Sequence, residues 1–183
     1  MKARLLCLVC FMCYCFISMA QQAPLSSDSL LKASIAKASK ENKNVFVIFK
    51  ASWCSWCYKM DSSINDKSCK KFFDDNYIIC HLVVLESKNK KNLENPGAAE
   101  MFTKFGGPDQ GLPFWLIFDK NGTLLSDSQI RKEGDGLDKP GQNTGCPTQP
   151  EEVNYFLSVL KKTSHITQAE LKIIEKRFLE NAR

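Results

Sequence analysis

At 183 residues, 44% hydrophobic and 25% charged, the chain can build one domain with a sizeable core and has an ordinary globular composition. Its 25 Lys and Arg exceed 20 Asp and Glu, for a net charge of +5. That balance is too mild to imply a nucleic-acid binder, and no basic stripe with interleaved aromatics is present.

Met1–Ala20 reads as a secretory signal. Lys2 and Arg4 form a charged start, Leu5–Ile17 an apolar run, and Ser18-Met19-Ala20 a small-x-small cleavage site before Gln21. Cleavage after Ala20 is expected. The apolar run is short for a membrane span, so a retained anchor is the lesser reading. A lipoprotein is disfavoured, because no cysteine follows a suitable small-residue box. Cys7, Cys10, Cys13 and Cys15 leave with the signal. Cys54, Cys57, Cys69, Cys80 and Cys146 remain, and an odd count leaves at least one thiol unpaired or paired outside the chain. Export, an odd count and a single Cys-x-x-Cys suggest thiol exchange, not a stapled scaffold. The expected location is the periplasm, for a Gram-negative source.

Gln21–Ser27 is a polar lead-in, and Asp28 is read as the cap of a helix over Ser29–Asn42. Val45–Phe49 is a continuous apolar run, which suits a central strand covered on both faces. The chain then passes through Lys50-Ala51-Ser52 into Trp53-Cys54-Ser55-Trp56-Cys57 and a helical pattern through Met60 and Ile64. Asn65-Asp66 interrupts it before Ser68–Asp74. Cys69 lies on a polar, Lys-rich stretch and is either a bystander or a partner for Cys80. Tyr77–Leu85 is the next strand, with Cys80 expected buried and His81 at its flank, unpaired in sequence. Ser87–Asn95 reads as a solvated loop and Gly97–Phe105 as a short helix. Phe114–Asp119 is a strand, Lys120-Asn121-Gly122 a hairpin turn, and Thr123–Leu125 starts its partner. Arg131–Gln149 is a long polar loop holding Cys146. Pro150 opens a helix carrying Val153, Phe156, Leu157 and Leu160. A last helix begins near Thr167, whose spacing to Glu170 matches a capping box, and carries Leu171, Ile174 and Phe178.

Strand, turn, Cys-x-x-Cys and helix form a redox pattern. Cys54 would sit at the positive end of the helix dipole, which favours the attacking thiolate. Cys57, one turn in, suits the resolving role. The competing readings are a structural disulfide and a zinc half-site. Zinc wants a second ligand pair, and none is evident. No metal and no organic cofactor is expected.

Two motifs, SWCSWCYKMD and ENPGAAEMFTKFGGPDQGLPFWLIFDKNGTLL, resemble the thioredoxin fold over roughly Asp28–Lys162. The tryptophan before each cysteine is similar to exported bacterial thioredoxin-like proteins related to the periplasmic domain of the transmembrane disulfide reductase. The resemblance implies an α/β fold with a central mixed β-sheet flanked by helices. Residues 21–183 would form a single domain, its core about 28–162, with an extra C-terminal helix over 166–181. It implies an exported thiol–disulfide oxidoreductase with Cys54 and Cys57 catalytic and Trp53, Trp56, Leu112 and Pro113 facing substrate. Pro113 would be a cis-proline exposing the Leu112 backbone to an extended substrate strand. Implied partners are protein disulfides and a membrane electron donor; a monomer is expected. An oxidase or isomerase, or a non-enzymatic peptide- or metal-binding module, is the alternative. Two departures from thioredoxin stand out. Ile48 occupies the place of the buried acid six residues before the first cysteine, leaving Glu86, Asp61 or water to accept the Cys57 proton. The proline that kinks the dithiol helix is also missing. Cys146 is read as an incidental thiol, with a third redox thiol as the sharper alternative.

Overall fold

The computed structural model describes residues 23–182, so the expected signal lies outside the described residues. Four strands form one sheet in the order β2-β1-β3-β4. They are β1 (Asn44–Lys50), β2 (Tyr77–Val83), β3 (Phe114–Phe118) and β4 (Leu124–Asp127). β2 runs parallel to β1, whereas β3 runs antiparallel to both β1 and β4. All five apolar residues Val45–Phe49 are buried, because β1 is central and covered on both faces.

Side-chain alternation divides the core. Phe46, Ile48, Trp115 and Ile117 face one layer, made of α2 (Ser55–Ile64), α3 (Lys70–Asn76), α5 (Pro150–Thr163) and α6 (Gln168–Leu179). Val45, Val47, Phe49, Phe114 and Leu116 face the other, made of α1 (Ser27–Glu41) and α4 (Ala98–Lys104). Phe156 joins the first layer together. Its ring lies 4.9 Å from Phe178, 5.5 Å from Trp115 and 6.3 Å from both Phe46 and Phe73, centroid to centroid.

Local chemistry sets the helix ends. Ser26, not Asp28, caps α1: its Oγ accepts from Ser29 N–H, while Asp28 sits in the first turn and pairs with Lys32. An acid there complements the helix dipole without being the cap. Gln149 with Glu152 and Thr167 with Glu170 form capping boxes at α5 and α6, and Pro150 opens α5. Residues Lys88–Leu93, read as loop, form an exposed 3-10 turn. β2 ends at Val83, short of the expected Leu85, whose φ of 56° breaks the strand.

The long loop is more ordered than its composition suggests. β5 (Gln129–Ile130) pairs antiparallel with β6 (Gln142–Asn143) inside it. Arg131 and Asp127 form a buried, two-pronged ion pair at the hairpin's root, with nitrogen–oxygen distances of 2.7 and 2.6 Å. Cys69 and Cys80 do not pair. Cys69 is buried with Phe73 on one face of the sheet and Cys80 with Leu82 on the other, and both are free. The polar neighbours of Cys69 face water while its own side chain turns inward.

Candidate active site

β1 delivers the chain to the site and α2 carries it away. The Cys54 N–H donates to Ala51 O at 3.1 Å, closing the turn. Cys54 is the N-cap of α2, and its sulfur accepts the Cys57 N–H at 3.1 Å. Cys54 and Cys57 are joined by a disulfide. Cys57 is fully buried and Cys54 is 3% exposed, so the outer sulfur is the one a partner can reach. Unpaired N–H groups at a helix start favour thiolate on Cys54 once the bridge opens.

Leu112 packs against Ala51, Cys54 and Cys57. The Leu112–Pro113 peptide is cis. The loop carrying it is braced from β6. Asn143 Nδ2 donates to Gln110 O at 3.0 Å and Pro113 O at 3.1 Å, and Asn143 N–H donates to Gln110 Oε1 at 3.1 Å. This brace was invisible in sequence, because Asn143 sits in a stretch with no periodic signal.

An exposed apolar collar surrounds the bridge. Trp53 is 57% exposed and its Nε1 donates to Leu85 O at 2.7 Å. Trp56 is 44% exposed, and the Lys59 ammonium lies 4.4 Å from its ring centroid. Tyr58 and Leu85 complete the collar. Beneath it, the buried Glu86 carboxylate accepts from both the N–H and the hydroxyl of Ser52, fixing the turn before Cys54.

Asp61 lies one turn beyond Cys57 on α2, on the same helix face. Its carboxylate binds Lys50 at the end of β1 and His81 Nε2 at 2.7 Å. His81 therefore has a partner that sequence spacing did not show. Burial pushes the Asp61 carboxyl up, but hydrogen bonds and charge from His81 and Lys50 outweigh it, and the net direction is down. A carboxyl held low stabilises the fold above its unfolded value of about 3.9 and stops doing so as pH falls through its folded one. Asp61→Asn is expected to lower the melting temperature at neutral pH, with the gap to the parent closing below about pH 4. A gap independent of pH in thermal melts would assign the effect to shape, not charge.

Cys146 lines one cleft with Trp56 and Leu112, yet it is buried and accepts only Asn181 Nδ2 at 3.6 Å. Burial pushes its thiol up to about 12, a shift that Lys59 and Arg177 oppose. It is a thiol at neutral pH, not an attacking thiolate, which argues against a third redox thiol. Among the described residues, no group of three or more His, Cys, Asp or Glu is placed to hold a metal ion.

A helix-capping cysteine bridged to its neighbour one turn in is built to exchange disulfides, and the class so defined is the thiol–disulfide oxidoreductases. Residues 28–120, just over half of the chain, match the thioredoxin-like family, and the chain belongs to it. The disulphide isomerase of Xylella fastidiosa Temecula1 is 16% identical, with 90% of this chain and 100% of that chain covered and a TM-score of 0.46. The oxidised C-terminal domain of DsbD from Neisseria meningitidis is 16% identical, with coverages of 77% and 99% and a TM-score of 0.43. A DsbH oxidoreductase is 20% identical, with coverages of 80% and 89% and a TM-score of 0.41. None of these likenesses transfers a direction of electron flow to this chain. No curated protein sequence matches it.

Proposed function

We propose that residues 21–183, exported to the periplasm after cleavage at Ala20, act as a monomeric reductase of protein disulfides. The observation that carries the reading is Cys54 at the N-cap of α2 with the Cys57 N–H on its sulfur. The Cys54 thiolate attacks a substrate disulfide, forming a mixed disulfide and releasing one substrate thiolate, which takes a proton. Cys57 then loses its proton and attacks the Cys54 sulfur. The second substrate thiol leaves, and the Cys54–Cys57 bridge holds the two electrons' worth of oxidation. A membrane donor returns two electrons to reopen it.

Ile48 is apolar and buried on the face where α2 packs, so it accepts no proton. That leaves Glu86, Asp61 or water to take the Cys57 proton. Trp53 and Trp56 flank the substrate, while the Leu112 backbone beside Pro113 pairs with it as an added strand would.

The deciding measurement is the reduction potential of the Cys54–Cys57 pair in defined glutathione buffers. A value near the thioredoxin end, roughly −270 mV, is expected of a reductant. A value near the strong-oxidant end, about −120 mV, would reverse the direction to oxidase or isomerase. In parallel, Cys57→Ala should trap a partner on Cys54 as a mixed disulfide that dithiothreitol releases. Reversible binding with no such adduct would favour a non-enzymatic peptide-binding module.

A further inference from the structure

The family match ends at residue 120, and the C-terminal helices lie beyond it. A 3-10 turn, Glu180–Ala182, follows α6. Asn181 in that turn is polar but only 8% exposed. Its Nδ2 donates to Ser63 Oγ on α2 at 2.9 Å and to Cys146 Sγ at 3.6 Å. Its Oδ1 accepts from Arg177 Nη1 at 3.0 Å, and Arg177 is itself held by Asp66 at 3.1 Å. The Asn181 backbone carbonyl accepts from Lys59 Nζ at 3.1 Å. That same ammonium lies over the Trp56 ring.

Trp56 and Cys146 stand on the lining of one cleft of about 240 Å³, together with Gln110, Leu112 and Asn143. Leu112 also packs on both active cysteines, so the cleft opens beside the bridge. Asn181 thus reaches the cleft twice: directly through Cys146, and through Lys59 to Trp56. An exposed lysine or tryptophan free in water samples several rotamers. Here the lysine is pinned at its tip by a carbonyl, and the indole is pinned by the lysine. The cleft offers the Gln110 side-chain amide nitrogen beside Trp56, which suits a peptide backbone carrying an apolar or aromatic side chain. Thr144, on the same lining, holds a buried hydroxyl that has no hydrogen-bond partner among the described residues.

We infer that Asn181 is a positioning residue that fixes Trp56, through Lys59, and the Cys146 loop as walls of a cleft for the peptide segment beside the substrate's cysteine. The inference rests on the oxidoreductase reading and adds to it a structural element and a preference: substrates with an aromatic or large apolar residue next to the reacting cysteine.

The test compares two substrates: a peptide disulfide with Phe beside the cysteine, and bis(2-hydroxyethyl) disulfide, which is too small to fill the cleft. Lys59→Met and Asn181→Ala are each expected to raise KM for the peptide several-fold, with kcat changing less and the small disulfide affected less. The double variant should lose less than the sum of the two single losses, because Asn181→Ala frees the turn whose backbone carbonyl holds Lys59, and that part of its effect runs through the same ring. Lys59→Arg should restore the peptide KM, since a guanidinium stacks on an indole. Unchanged peptide KM in Lys59→Met, additive losses in the double variant, or equal losses on both substrates would overturn the inference. Lys59 is exposed, so its variants report even if Asn181→Ala fails to fold. A parent protein that reduces neither substrate would instead overturn the reductase reading.

Discussion

Cys54→Ser is expected to abolish disulfide reduction, by at least about a thousand-fold in kcat/KM, as removal of a covalent nucleophile does elsewhere. The hydroxyl has the size of the thiol but cannot form the mixed disulfide. Cys57 does not substitute for it, because it is fully buried one turn inside α2. The fold should survive, since Ser is a good helix N-cap and can accept the same N–H from residue 57. An insulin or peptide-disulfide reduction assay, with circular dichroism as the folding control, measures both sides. Retained activity in a folded Cys54→Ser protein would place the chemistry elsewhere.

Phe156→Ala is expected to be the most damaging single change outside the site, costing about 3–5 kcal/mol. Phe156 is fully buried and touches the rings of Phe46, Phe73, Trp115 and Phe178, so its removal opens a cavity between the sheet, α3 and both C-terminal helices. Phe46 and Trp115 sit on the sheet and Phe178 on a helix capped by Thr167 and Glu170, which limits collapse into the gap. A melting temperature lower by roughly 10 °C follows for a chain of this size. A shift within a degree or two would mean that α5 and α6 repack freely. The cavity would also loosen the seat of Asn181, so reduction of peptide disulfides should weaken at temperatures where the variant is still folded.

Much of this was readable without coordinates, for reasons that differ by element. Val45–Phe49 announced a two-sided strand, because only a central strand needs five consecutive apolar residues. Thr167 and Glu170 announced a helix start, because a capping box is a local contract between residues three apart. Cys54 and Cys57 announced themselves by spacing and by the strand before them. Contacts made by the fold, not by neighbours in sequence, stayed hidden. His81 meets Asp61 across 20 positions and Asn181 meets Ser63 across 118. Asn143 braces the loop at Leu112 from a two-residue strand that carries no periodic pattern. Cys69 was misleading for a different reason. Its neighbours Ser68, Lys70 and Lys71 are exposed, and only the turn into α3 swings Cys69 inward.

The three unbridged cysteines among the described residues have a consequence for how the protein comes into being. Cys69, Cys80 and Cys146 are 0, 4 and 5% exposed, and the sheet separates Cys80 from the other two. Once folded, the described residues therefore offer an oxidant one pair, Cys54 and Cys57. Before the sheet closes, burial protects none of the five thiols among the described residues, and any two of them can be joined. Protection against wrong bridges is a matter of timing: the layers must assemble before oxidation arrives, and a refolding experiment that reverses that order should give a mixture of isomers in place of a single redox-active species.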